Sequence, residues 1–418
     1  MLDGNLPQVL FAFTFYYPLF MSYLWMAGAV FYWYHYERKS SHPDQPPTLS
    51  SYPKVSLVVP CFNEGAQVRD TVGNLLAHNY PDFEVIAIND GSSDNTGEIL
   101  DELAQSNPRL RVIHLAQNQG KAVALDTAAA MADSDYLICI DGDAILDRNA
   151  ACWMMWHFLT SPRVAAVTGN PRIRTRSTLL GRIQVGEFSS IIGLIKRAQR
   201  TYGRLFTVSG VVAGFRKSAL HQVGYWSREM LTEDIDVSWK LQLNHWDVRF
   251  EPAALCWILM PETFKGLWRQ RLRWAMGGAQ AILKYAGMWK SWRKRRMWPV
   301  YIEYLTSMLW SYSMLVTVIL WIAGKFFIVP QPYWVQTIVP QWTGVIIGTT
   351  CLIQIAVSLL LDRRYDKGLL RNYYWTIWYP LAYWVLNMLT TVVALPRVLM
   401  RRSGKRARWH SPDRGVTA

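Results

Sequence analysis

Cysteine is scarce and scattered. Cys61, Cys139, Cys152, Cys256 and Cys351 stand singly along the chain, with no C-x-x-C pair. That excludes a disulfide framework and a zinc ribbon, and it fits reduced thiols in the cytosol. The eight histidines show no metal-ligand spacing. There is no internal repeat and no long low-complexity tract, and Gly120-Lys121 lacks the rest of a P-loop. Acidic residues are outnumbered, 30 against 44 lysines and arginines, for a net charge of +14. The excess does not form one recognition helix, which argues against nucleic acid as a partner. It gathers at 269–273, 290–296 and 397–408, each beside an apolar segment. Cations there pair with anionic headgroups and orient spans, so the partner they imply is a lipid bilayer.

What is abundant is apolar and aromatic. Of 418 residues, 51% are hydrophobic, with 21 Trp and 21 Tyr, an excess typical of membrane–water interfaces. Residues 11–34 are apolar or aromatic apart from Thr14 and Ser22. At ~1.5 Å per residue they reach ~36 Å, enough to cross a bilayer. No basic residue precedes this stretch and no small-residue cleavage site follows, so it reads as a span rather than a signal peptide. Glu37-Arg38-Lys39 puts the next unit in the cytosol, after a Pro/Ser linker at 40–53.

From 55 to about 251 short buried strands alternate with helical stretches. Strands are expected at 55–60, 84–89, 110–115, 136–140 and 164–168, and helices at 66–78, 96–105 and 122–132. The alternation predicts an α/β fold with a mostly parallel sheet and its ligand at the carboxyl ends of the strands. Apolar positions at 264, 268, 272, 275, 276, 279 and 283 predict an amphipathic helix on the membrane surface. Further spans are expected at 301–323 and 343–361. The last stretch, 373–395, is long enough to cross. A crossing would put the basic tail outside, against the positive-inside tendency, whereas Pro380 suits a re-entrant or interfacial segment. Length favours the span. The expected layout is an N-terminal transmembrane helix (1–39), the linker (40–53) and a cytosolic catalytic domain (54–262). Interfacial helices (263–298), a C-terminal transmembrane region of about three apolar segments (299–396) and the basic tail (397–418) follow.

The polar residues that carry chemistry sit at the strand ends. Phe62 and Glu64 follow the first strand, where a ring can stack on a base and a carboxylate can accept from it. Asp90 follows the second strand and can accept the N3–H of uracil, while Asp94 caps the next helix. Lys121 can meet a nucleotide with its ammonium. Asp141-Gly142-Asp143 ends a buried strand with two carboxylates able to hold Mg2+ or Mn2+ while substrate phosphates complete the shell. Thr232-Glu233-Asp234 supplies a general base, Asp234 first, with Glu233 and Asp236 as lesser choices, because a sugar hydroxyl is too weak an acid to react unaided. The same acids also suit a helix start. Gln270-Arg271-Leu272-Arg273-Trp274 offers Arg273 to a diphosphate and Trp274 as a stacking floor, though a snorkelling basic face with a Trp belt has the same composition. Together these are the parts that transfer of a sugar from a nucleotide diphosphate requires.

On these residues the chain resembles the processive family 2 glycosyltransferases of GT-A fold, marked by an aspartate after the second strand, D-x-D, T-E-D and Q-x-x-R-W. Gln270, Arg273 and Trp274 match the last motif position by position. Within that family the closer likeness is to bacterial synthases of poly-β-1,6-N-acetyl-D-glucosamine, in stretches such as VIHLAQNQGKA, FSSIIGLIKRAQRTYG, LTEDIDVSWKLQLN and the tail RARWHSPDRG. The resemblance implies a multi-pass protein of the bacterial inner membrane. It implies UDP-N-acetylglucosamine as donor, a divalent metal, inverting transfer to a 6-hydroxyl, and export of the growing polysaccharide through the enzyme's own spans. It also implies a small two-span membrane partner coupled to cyclic di-GMP. By the same resemblance Phe62, Glu64, Asp90 and Lys121 contact uridine, and Ser209-Gly210 lies near the acceptor. One departure stands out, since a single span precedes the catalytic domain where similar enzymes often have two. A synthase of hyaluronan, chitin or cellulose type, a lipid-phosphate glycosyltransferase and a non-enzymatic nucleotide-sugar sensor are the alternatives.

Overall fold

The computed structural model describes residues 6–40, 42–338, 342–401, 404, 406 and 407. Most of the expected basic tail, residues 402, 403, 405 and 408–418, lies outside the described residues. The chain opens with α1 (Leu6–Tyr32), whose last turns widen through Glu37. Alternating elements follow: β1 (Val55–Cys61), α2 (Val68–Leu76), β2 (Phe83–Asn89), α3 (Thr96–Ser106), β3 (Leu110–His114), α4 (Lys121–Met131) and β4 (Tyr136–Ile140). Every residue of β1 and β2 is buried, as expected where parallel strands are covered on both faces. The sequence reading recovers these strands and helices to within a few residues.

The second half of the domain is less regular. It comprises β5 (Ile145–Leu146), α5 (Ala150–Thr160), β6 (Val164–Ile173), α6 (Leu179–Phe188), α7 (Ile195–Thr201), β7 (Val212–Arg216), α8 (Lys217–Gln222), α9 (Glu233–Leu243) and β8 (Asp247–Ile258). The eight strands form one sheet of order β3-β2-β1-β4-β7-β6-β8-β5. Pairs among β3, β2, β1 and β4 are parallel, whereas β7 runs antiparallel to both β4 and β6. That reversal sets Val212 opposite Ile140, so the loop entering β7 meets the end of β4.

Outside the sheet lie α10 (Phe264–Tyr285), α11 (Trp298–Phe326), α12 (Trp342–Asp362) and α13 (Tyr379–Leu399). Thr263 caps α10, its Oγ1 accepting the Gly266 N–H at 3.1 Å. Among the described residues, four segments are long and apolar enough to cross a membrane: Leu6–Glu37, Trp292–Phe326, Trp342–Asp362 and Ala382–Leu399. The C-terminal ends of α1, through Glu37, and of α12, through Asp362, meet the α/β domain in a buried ion network. Arg197 of α7 holds Glu37 (Nε–Oε1 2.5 Å) and Asp362 (2.7 Å), and Arg172 of β6 holds Asp362 at 2.6 Å.

The last apolar stretch, expected over 373–395, starts its α-helix only at Tyr379. Residues 369–378 form a 3-10 helix, and this segment is held to the domain by Arg176–Asp366 at 2.5 Å and by Arg182 over the Trp375 ring. The α-helix then packs along α10 and α11, with Val398 in the apolar cluster of Ala281, Ile282 and Met297. Beyond it, the Ala407 N–H donates to Arg228 O at 2.9 Å and Arg406 to Gln119 Oε1 at 2.8 Å. Residues on either side of the segment, Asp366 before it and Arg406 and Ala407 after it, thus contact the α/β domain.

Candidate active site

The loops after β1 and β2 latch to each other before any ligand is considered. The Asn63 N–H donates to Ser92 Oγ at 3.0 Å, the Gly65 N–H to Asp94 Oδ2 at 3.0 Å, and the Glu64 N–H to Thr96 Oγ1 at 2.8 Å. Asp90, fully buried, accepts the N–H groups of Gln119 (2.8 Å) and Gly120 (2.9 Å) through separate oxygens. Burial raises its pKa and those two amides lower it, with burial prevailing. Asp90 therefore shapes the loop that starts α4 and presents Lys121.

Lys121 enters an acid cluster. Its Nζ donates to Asp141 Oδ1 and to Gly210 O (2.9 Å), and Glu233 Oε1 lies 3.4 Å away. Burial disfavours its charge, but Asp141, Glu233 and Asp234 together hold the ammonium above its ordinary pKa. Asp141 and Asp143 flank Gly142, where a Cβ would meet Glu64 Cγ at 3.0 Å and Pro60 O at 3.1 Å. Only glycine lets the strand end press so closely on the β1 loop.

Asp234 stands in the first turn of α9, its Oδ2 accepting the Gly210 N–H at 3.2 Å and its Oδ1 the Ile235 N–H at 2.9 Å. Burial and the neighbouring Glu233 raise its pKa, against Lys121 and Arg273. Asp236, the lesser candidate base, turns away. It accepts from Tyr285 OH at 2.8 Å and pairs with Lys284 at 2.7 Å, fastening α9 to α10.

The two helices approach through Gly277, where a Cβ would collide with the Thr232 side chain. This contact carries Gln270, Arg273 and Trp274 to the acids. Arg271, passed over in the sequence, pairs with buried Glu187 at 2.5 Å and lies 4.3 Å from the Trp274 ring centre. It fixes the indole, as does Phe188, 6.2 Å away ring to ring. Burial raises Glu187 to about 7 and Arg271 opposes it.

One cavity of about 600 Å3 is lined by Lys121, Asp141, Asp143, Ser209, Gly210, Glu233, Asp234, Gln270, Arg273 and Trp274. Phe62, Glu64 and Asp90 are not part of its wall. The cavity continues between the apolar helices, past Tyr17 and Trp25 of α1, Glu303, Ser307 and Trp310 of α11, Gln354 of α12, and Asn387 and Thr391 of α13. None of these, nor Lys196 and Gln199 of α7, was singled out from sequence. The signal available was a few polar groups inside otherwise apolar runs.

Residues 56–224 match the model of glycosyl transferase family 2. The poly-β-1,6-N-acetyl-D-glucosamine synthase of Staphylococcus aureus strain COL is 40% identical over 411 residues, covering 97% of this chain and 99% of that protein. The synthase of the same name from Staphylococcus epidermidis is 38% identical over 420 residues, covering 97% and 98%. A mannosyltransferase of Pyrobaculum calidifontis, solved with GDP-mannose and Mn2+, shares the fold with a TM-score of 0.64 at 18% identity, over 95% of this chain and 99% of that one. With its strand-end acids, its T-E-D and its Q-x-x-R-W on one cavity, the chain belongs to glycosyl transferase family 2, in the family of the bacterial poly-β-1,6-N-acetyl-D-glucosamine synthases.

Proposed function

We propose that this membrane protein is a processive, inverting glycosyltransferase that polymerises N-acetylglucosamine from UDP-N-acetylglucosamine into β-1,6-linked chains. The observation that carries the reading is the meeting of Asp141, Asp143, Asp234, Arg273 and Trp274 on a cavity that runs on between α1, α11 and α13. Asp234 takes the proton of the acceptor 6-hydroxyl as its oxygen bonds to the anomeric carbon from the face opposite the leaving group. The bond from that carbon to the diphosphate breaks, and UDP leaves with the electron pair. Arg273 and Lys121 meet the developing charge on the phosphates. Trp274, steadied by Arg271, holds the terminal acceptor sugar.

A divalent cation, Mg2+ or Mn2+, belongs to this proposal. Asp141 and Asp143 offer hard oxygen donors, and among the described residues no cluster of three or more His, Cys, Asp or Glu could enclose an ion. Such a set suits a cation that keeps water and takes substrate phosphates as ligands. When bound, it would neutralise charge on the departing diphosphate. Phe62, Glu64 and Asp90 shape the uridine side, and Ser209-Gly210 the acceptor side.

The proposal extends to a cytosolic catalytic domain at the bacterial inner membrane and to export of the chain through the cavity. A small two-span partner coupled to cyclic di-GMP enters it through the family resemblance. We also favour three crossings (α1, α11, α12), with α13 lying along the interface beside α10, an arrangement that keeps the basic tail on the cytosolic side. The test is sugar and linkage analysis of product made from UDP-N-acetylglucosamine by membranes containing this chain. Long β-1,6-linked N-acetylglucosamine is expected; a lipid-linked monosaccharide, or a polymer of another sugar or linkage, would overturn the reading.

A further inference from the structure

Lys196 is a charge that the reaction above does not use. It is 3% exposed and lies on α7, which with Ile195 and Gln199 forms part of the cavity wall. Its Nζ donates to Thr168 Oγ1 at 3.0 Å, and the Phe250 ring centre is 5.9 Å away. An ammonium has three N–H donors, and no described carboxylate forms an ion pair with this one. Burial pulls its pKa down to about 7 while Asp234 pulls it back up. A buried amine so poorly matched by the protein is costly unless a ligand supplies the missing acceptors.

Its position narrows the ligand. Lys121 and Arg273 already offer cations on the diphosphate side. Lys196 stands toward the membrane: α7 packs on α1, and Gln199, one turn on, donates to Glu303 of α11 at 3.2 Å. It is nonetheless wired to the base. The Thr168 hydroxyl that receives Lys196 also receives the Ser209 N–H at 2.8 Å, and the adjacent Gly210 N–H donates to Asp234 Oδ2. A molecule reaching this amine past Asp234 must offer neutral acceptors, which sugar hydroxyls and acetamido carbonyls are.

We propose that Lys196 is an acceptor-binding residue, donating hydrogen bonds to the sugar chain on the membrane side of Asp234 and so setting the terminal hydroxyl against the base. This rests on the glycosyl-transfer reading of the cavity.

The test uses the full-length protein in detergent with UDP-N-acetylglucosamine, Mn2+ and β-1,6-linked N-acetylglucosamine oligosaccharides. Lys196→Met is expected to keep its UDP affinity, raise the acceptor KM about tenfold or more as a charged hydrogen bond is lost, and shorten the product. Lys196→Arg should recover most of the acceptor affinity. An unchanged acceptor KM in Lys196→Met overturns the proposal. So does lost UDP affinity in a variant that melts where wild type does, because the charge would then serve the donor. If Lys196→Met melts early, Lys196→Gln is judged by the same two constants. Wild-type protein that transfers nothing to these acceptors would instead overturn the glycosyl-transfer reading itself, and this inference with it.

Discussion

At Asp234 opposing influences meet: burial and Glu233 push the carboxyl up, while Lys121 and Arg273 draw it back, leaving it at about 6. A base works deprotonated, so transfer should be complete above that value and fall as pH drops through it. A pH profile of kcat/KM reads this directly, and an acid limb near the ordinary aspartate value of about 3.9 would remove Asp234 from the role. Asp234→Asn should lose roughly 10²–10⁴-fold in polymerisation, the range for general-base catalysis, with UDP binding retained. Normal polymer yield from that variant would contradict the assignment. Asp141, Asp143, Asp234 and Trp274 were legible because their types and spacing are unusual. Arg271 and Glu187 were not, since an arginine beside a better-known arginine says nothing of its partner 84 positions away.

Helix α10 does its work through close approach. Its Gly277 lies so near Thr232 that Gly277→Ala must push α10 away from the start of α9. Overpacking of this kind costs about 1–3 kcal/mol, and the shift moves Arg273 and Trp274 relative to Asp234. Transfer should therefore fall well below UDP binding in the same variant; equal losses in both, or none, would show that the contact does not position the motif. The amphipathic pattern of α10 and the parallel strands β1–β4 could be read from periodicity. The later elements could not, because β7 and β8 belong to a mixed part of the sheet and α6 and α7 are too buried for an alternating face to show. Nor did periodicity reveal that residues 369–378 wind as a 3-10 helix before α13 begins.

Across the whole molecule, one buried network ties two apolar helices to the catalytic domain. Asp362 accepts from both Arg172 and Arg197 with no solvent exposure. Asp362→Ala would leave both guanidinium groups short of a partner, and breaking a buried pair costs about 3–5 kcal/mol. A clear drop in the melting temperature of the detergent-solubilised protein is expected. An unchanged melt would mean that the network relaxes freely. The course of α13 along α10 carries a separate consequence. A reporter fused after Arg401 should behave as cytosolic, with fluorescent protein bright and alkaline phosphatase inactive, whereas active phosphatase would make α13 a fourth crossing.

Residue type and local spacing by themselves determined the α/β character, the apolar spans, the strand-end acids and the Q-x-x-R-W helix. Each depends on contacts a few residues apart or on the period of one element. The tertiary structure alone decided that α10 docks on α9 through a glycine, that Lys196 is buried on the wall of the same cavity as Asp234, and that this cavity continues between the apolar helices. It also decided that Arg406 and Ala407, after the final helix, contact the α/β domain. Those facts join residues tens to hundreds of positions apart, and a local pattern holds no record of which distant surface will cover it.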